Sequence, residues 1–386
     1  MYTRFLTETL KKAFQQFPVL TLTGPRQSGK TTLLRYLFPE KPYVSMEDPD
    51  QRKRFLSDPR GFLNHYKQGA FFDEFQQTPE LPSYLQRLVD ENPESGQFLL
   101  SGSHQFEVMN TVSQSLAGRT SILKLLPLSY AELASKTSIE NDNKLMIQGF
   151  YPRLYDKKLD TEHMHKSYIQ TYLERDLHQL IHIKDLSKFQ QFLTLCAAHC
   201  GQVFIASHFS NAIGVSVNTI QSWISILQAS YILYLLPPYF SNIKKRLIKS
   251  PKLYFYDVGL ASYLLGIHTE NQINRDPLRG GLFENMVIMD MVKHFTHQGK
   301  EAPFFYYRDQ QQLEIDLIVQ LGRTLIAIEI KSSATFHPEF TNPIKSLSKI
   351  LDFKKRALLY TGEESFEHLD IQILNWRHHS QTLMPT

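Results

Sequence analysis

The stretch VLTLTGPRQSGKTTLLRYL (residues 19–37) decides the reading of this chain. Val19–Thr23 is a short run rich in β-branched residues, and Thr32–Leu37 continues with helical periodicity. Between them lies Gly24-Pro25-Arg26-Gln27-Ser28-Gly29-Lys30-Thr31-Thr32, the G-x4-G-K-[ST] spacing of a phosphate-binding loop. Strand, glycine-bounded loop and helix is the setting this motif needs. The glycines let the backbone wrap a polyphosphate, and the amides opening the helix point at it. Lys30 supplies a cation for the β- and γ-phosphates, and Thr31 a hydroxyl ligand for Mg²⁺. The expected ligands are therefore ATP and Mg²⁺.

Further elements follow in order. Gly69–Phe72 is a short apolar strand that ends in Asp73-Glu74. An acid at a strand end suits a magnesium ligand, Asp73, and its neighbour Glu74 suits a base for the attacking water. A third strand, Gln97–Leu100, delivers Ser101 and Ser103 to the same sheet edge, beside the expected γ-phosphate. Arg119, in SLAGRT, suits either transition-state charge neutralisation or a surface ion pair.

These strings resemble a widespread group of bacterial and archaeal AAA-type ATPases. GPRQSGKTTLL, FFDEFQQTPEL, LLSGS and SLAGRT…LPLSYAEL carry the likeness. It continues through GFYPRLY, YLERDL, KSPKLYFYDVGL, GLFEN and EIDLIV…AIEIKSS, over nearly the whole chain. The resemblance implies an α/β P-loop ATPase domain (1–158), a helical, winged-helix-like connector (159–275) and a PD-(D/E)xK nuclease-like domain (276–386). It implies no settled biological role.

In the connector, the run from Phe209 to Trp223 has a helix-turn-helix rhythm with Gly214 at the turn. Asn218, Gln221 and serines replace the basic residues of most DNA-reading helices. Lys244, Lys245, Arg246, Lys249 and Lys252 fall within nine residues free of acids. That run is either a solvated face or a sequence-blind contact to DNA or RNA phosphates. Tyr239, Phe240 and Tyr254 flank it and suit base stacking or the core equally. His178 and His182 lack the glutamate of a zinc protease helix. Cys196, His199, Cys200 and His208 sit in apolar helical surroundings that favour a buried, metal-free role.

From Gly281 the order reads α-β-β-β-α-β. The expected elements are a helix over Leu282–His294, strands over Phe304–Tyr307, Leu313–Val319 and Thr324–Lys331, a helix over Phe340–Leu351, and a strand over Ala357–Tyr360. Asp316 interrupts an apolar strand, and strand alternation points Glu329 and Lys331 to one face. Asp316 and Glu329 suit metal ligation, Lys331 suits orienting water or stabilising charge, and Glu284 a further ligand. A cross-strand ion pair between Lys331 and the carboxylates is the structural alternative.

The reading is thus an ATP-hydrolysing protein coupled to a Mg²⁺-dependent nuclease-like domain. An ATP-dependent switch with a catalytically silent domain is the runner-up. A small-molecule P-loop kinase is weaker, because no cluster of clamping arginines follows Arg119. The chain has 386 residues, is 42% hydrophobic and carries a net charge of +4, an ordinary globular balance that by itself selects no nucleic-acid partner. Two cysteines cannot form a disulfide framework, and no secretory or membrane-spanning run is legible, so the expected location is cytoplasmic. A homo-oligomer stays open.

Overall fold

The computed structural model describes residues 1–103, 115–173, 185–239 and 249–383. After helix α1 (Thr7–Gln16) come β1 (Val19–Thr23), α2 (Lys30–Leu37) and β2 (Tyr43–Ser45). They are followed by β3 (Ala70–Asp73), β4 (Phe98–Gly102) and β5 (Thr120–Lys124). These five strands form one sheet in the order β2-β3-β4-β1-β5, every pair parallel. Buried on both faces, a parallel sheet reads as near-continuous apolar runs, as AFFD and FLLSG do. Leu6, Leu10, Leu33 and Leu34 pack on one face, and Phe55, Phe62 and Leu85 on the other.

The connector contributes helices Leu186–Ala198, Ala206–Ile213 and Val217–Ala229. Gly214 ends the second of these in the left-handed region (φ +71°), and the Ser216 side chain caps the third by accepting from the Thr219 amide. An antiparallel ribbon follows, β6 (Leu233–Leu236) with β7 (Lys252–Phe255). The exposed side of the third helix carries Asn218 and Gln221, whereas Trp223 is buried.

The C-terminal region opens on the 18-residue helix Arg279–Thr296. Strands β8 (Phe304–Arg308), β9 (Glu314–Leu321), β10 (Thr324–Lys331), β11 (Lys355–Tyr360), β12 (Phe366–His368) and β13 (Ile371–Asn375) form its sheet. The spatial order is β12-β13-β11-β10-β9-β8. The expected α-β-β-β-α-β order is present, with β12 and β13 in addition. The helix expected over Phe340–Leu351 is shorter: a 3₁₀ turn at Pro338–Thr341 precedes Asn342–Leu347, whose second residue is Pro343. One buried cluster, from Leu126 through Phe192 and Tyr254 to Trp376, runs unbroken through connector and C-terminal region. None of the described helices is long and apolar enough to cross a membrane.

Candidate functional site

The phosphate loop leaves β1 at Thr23 and enters α2 at Lys30. At Gly24 (φ +144°) a Cβ would stand 2.1 Å from the Leu125 carbonyl oxygen, so the position excludes any larger residue. Gly29 (φ +94°) turns the chain into the helix. Lys30 is buried, and its Nζ donates to the carbonyls of Gly24 (2.9 Å) and Pro25 (3.0 Å). Burial lowers the Lys30 pKa, against the pull of Glu74 and Asp73.

Asp73 ends β3 directly opposite the loop. Its Oδ2 accepts from Thr31 Oγ1 and from the Tyr43 hydroxyl, both at 2.9 Å, and Oδ1 accepts from Ser101. Burial first, and then Asp73, push the Tyr43 phenol up to about 12. Glu74 sits at φ +51°, a conformation costly for a residue with a side chain. Its Oε2 accepts from Gln76 Nε2 (2.5 Å) and Ser103 Oγ (3.1 Å). Ser101 and Ser103 thus hold the two carboxylates.

Lys30, Thr31, Asp73, Glu74, Arg26 and Arg153 line one cavity of about 460 Å³. The Ser28 hydroxyl and Gln27 Oε1, both in the loop, are buried there with no hydrogen-bond partner. A loop with unmet polar atoms, a buried cation and the Thr31–Asp73 oxygen pair fits a magnesium-bound polyphosphate. Gly29 and the exposed Thr32 also line this cavity, and Pro25 completes the loop.

Residues outside the sequence reading support this loop. Arg4 donates from Nη1 to the Ser28 carbonyl (2.8 Å) and from Nη2 to that of Leu126 (2.5 Å). Its Nε lies 3.2 Å from Glu132, and Glu132 lies 3.3 Å from His297, all three buried. Burial raises the Glu132 pKa, but Arg4, His297 and the Ser129 amide outweigh it and hold the carboxyl well below its usual range. At the loop's root the Thr23 hydroxyl meets the Tyr231 hydroxyl at 2.8 Å. No local motif announces Arg4, because its partners lie up to 293 positions away. Arg153 was legible as the basic residue of GFYPRLY.

Arg119 departs from its expected role at this chain's own phosphate loop. It precedes β5, and the register Val19 opposite Thr120 puts it at the start of the parallel strands. The loop leaves their far end, so Arg119 cannot reach it. The guanidinium instead grips Asp90, at 2.6 and 3.0 Å, on the surface.

A second cluster lies in the C-terminal region. Leu317 opposite Ile328 brings Asp316 beside Glu329. Lys331 Nζ lies 2.8 Å from Glu329 and 3.5 Å from Asp316, as strand alternation and pairing require. Asp316 Oδ2 accepts from the Ile330 amide at 2.8 Å. Lys252 is a correction: only 1% exposed, it is no surface contact for nucleic acid. Its Nζ stands 2.5 Å from Glu314, 3.0 Å from Glu284 and 3.9 Å from Asp316. The reason is its place in β7, whose pairing turns this side chain away from the exposed Lys249 and into the molecule. Lys244, Lys245, Arg246 and Phe240 lie outside the described residues, as do His178 and His182. Tyr254 belongs to the core, its hydroxyl donating to Glu284 at 2.5 Å. Cys196 and Cys200 are buried thiols whose pKa values burial raises.

Glu284, Asp316 and Glu329 were expected to hold metal. In this arrangement each already bears an ammonium group, and no set of three or more acids, histidines or cysteines converges as ligands among the described residues. A divalent ion does not fit here while Lys252 is in place. Glu329 Oε1 is nevertheless buried without a partner. Glu314, which sequence reading missed, was legible as the acid two positions before Asp316 in EIDLIV.

Comparison with known proteins agrees with an AAA-type ATPase domain at this end of the chain. Residues 16–134 match the AAA domain family, and residues 139–271 and 279–378 match two domains of unknown function (DUF8612 and DUF4143). The chain is similar to an uncharacterised protein of Haemophilus influenzae, 21% identical over 93% of this chain and 94% of that protein. A Walker-type ATPase of Pyrococcus abyssi covers 67% of this chain, and 94% of its own length, at 14% identity and a TM-score of 0.46, too low to carry weight. The uncharacterised protein Rv2008c of Mycobacterium tuberculosis is 31% identical over 92% of this chain and 79% of its own length. The chain therefore belongs to the same family as that mycobacterial protein, with an AAA domain followed by two domains of unknown function.

Proposed function

We propose that this protein binds ATP with Mg²⁺, hydrolyses it, and uses the nucleotide state to switch a connector and a nuclease-like C-terminal domain. The meeting of Lys30, Thr31, Asp73 and Glu74 in one cavity carries the reading. Backbone amides from Arg26 to Thr31 would cradle the phosphates, and Lys30 would leave the Gly24 and Pro25 carbonyls for the γ-phosphate. Thr31 and Asp73 would hold magnesium, which when bound neutralises charge on the β- and γ-oxygens. Glu74, positioned by Ser103 and Gln76, takes the proton of the attacking water. Arg153 brings a further cation from a helix beyond the parallel sheet.

We divide the chain at 1–158, 159–275 and 276–386. The helices Leu186–Ala198, Ala206–Ile213 and Val217–Ala229 with the β6–β7 ribbon support a winged-helix-like module. Its exposed polar positions, Asn218 and Gln221, favour a partner other than a specific DNA sequence. The Lys252 contacts favour the silent form of the C-terminal domain. The rival reading, a metal-dependent nuclease, draws on the convergence of Asp316, Glu329 and Lys331. The deciding experiment incubates wild type, Lys30→Ala and Lys331→Ala with DNA and RNA, with Mg²⁺ or Mn²⁺, with and without ATP. ATP turnover lost only in Lys30→Ala, with no cutting anywhere, supports the switch. Cutting lost in Lys331→Ala supports the nuclease, and the absence of ATP turnover in wild type overturns the ATP-hydrolysing reading.

A further inference from the structure

The C-terminal cluster is unusual in the cation it holds. Four carboxylates come from three elements: Glu284 from the helix Arg279–Thr296, Glu314 and Asp316 from β9, and Glu329 from β10. Lys252 enters from a fourth element, the connector ribbon, and touches three of them with one ammonium. Its backbone is fixed on both sides, by the β6 register opposite Leu236 and by a bridge to Val203. The Tyr306 ring lies 5.7 Å from the ammonium. Arg308 completes the outer side by pairing with Glu314 at 3.3 Å.

We propose that Lys252 is the resident cation of this cluster and that its ammonium fills, from the connector, the place a divalent ion would take among Glu284, Glu314 and Asp316. Acidic oxygens gathered from separate elements repel one another and stay together only around a cation. A compact ammonium meets that need with three donors, as an oxygen-preferring divalent ion would with more ligands. The unpartnered Glu329 Oε1, buried at the edge of the cluster, is an oxygen that Lys252 and Lys331 leave unmet and a larger ligand set would recruit. With Lys252 removed, the ion that this set of oxygens would accept belongs to the hard divalent class.

The test uses the full-length chain without nucleotide and Mn²⁺ as probe, read by titration calorimetry and by the loss of the free-ion spin-resonance signal. Asp316→Asn isolates binding at the cluster from any at the phosphate loop. Wild type and Asp316→Asn are expected to bind Mn²⁺ alike. Lys252→Met is expected to gain one ion per chain, at least tenfold tighter than any Asp316-dependent binding in wild type, and Lys252→Met with Asp316→Asn to lose it. Should Lys252→Met fail to fold, Lys252→Met with Glu314→Gln removes a charge of each sign and faces the same criterion. Asp316-dependent Mn²⁺ binding in wild type, or no gain on removing Lys252, overturns the proposal. The inference rests on reading this domain as nuclease-like. If the Mn²⁺-loaded variant cuts neither DNA nor RNA, that reading fails while the assignment of Lys252 stands.

Discussion

Arg4 donates a 2.8 Å hydrogen bond to the carbonyl of Ser28, in the middle of the phosphate loop. The same guanidinium neutralises buried Glu132, so Arg4→Ala removes a loop support and strands a charge. Stranding a buried partner costs about 3–5 kcal/mol. The expected outcome is a large fall in melting temperature, with the KM for ATP in the surviving folded protein raised about tenfold, as losing a charged hydrogen bond implies. Arg4→Ala with Glu132→Gln should recover part of the stability and none of the KM. Equal recovery of both would show that Arg4 acts on the loop only through the fold.

Glu132 also sets a pH signature. Its folded pKa lies below the unfolded value near 4.5, so the native state releases this proton more readily. The stability it contributes is therefore complete above that value and is lost as pH falls through and below it. Chemical denaturation of wild type and Glu132→Gln at a series of pH values should give curves that differ most near neutrality and converge in acid. Parallel curves would rule out this assignment.

At the phosphate-loop cavity the proposed roles separate by kinetic constant. Lys30→Ala should abolish ATP binding in a fluorescent-nucleotide assay. Glu74→Gln should still bind ATP while turnover drops by about 10²–10⁴, the usual worth of a general base. Ser103→Ala, which loosens Glu74, should lower kcat severalfold at unchanged KM. A KM effect in Ser103→Ala would instead put that hydroxyl on the nucleotide.

Arg119 offers a test of assembly. Within one chain it is bound to Asp90 at the wrong end of the sheet. Arg119→Ala should leave turnover and melting temperature unchanged in dilute, monomeric protein. A loss of turnover that emerges as protein concentration rises would mean that a neighbouring copy supplies this arginine.

What the sequence disclosed and what it hid divide along contact distance. Val19–Leu37 was legible because strand, loop and helix each carry local signals and the phosphate chemistry fixes their spacing. Glu329 and Lys331 were legible for the same reason: alternation within one strand put them together, at 2.8 Å. Lys252 was not. Its neighbours in sequence are basic, but β7 pairing decides where its side chain points, and its partners follow 32 to 64 positions later. Arg119 failed likewise, since the parallel pairing of β5 with β1, and not local pattern, sets it at the end of the sheet away from the loop. Strands β12 and β13 are three and five residues long and interrupted by Glu367 and Gln372, too brief for alternation to register.

The helix Arg279–Thr296 has a consequence of its own. Glu284 belongs to the carboxylate cluster, while His297, the residue just past the helix end, meets the Arg4–Glu132 pair behind the phosphate loop. Thirteen positions at ~1.5 Å each set these points about 20 Å apart along one unbroken rod. Such a rod has no joint at which displacement is absorbed. The carboxylate cluster and the Arg4–Glu132 pair behind the phosphate loop are thereby braced by one continuous helix and the residue that follows it.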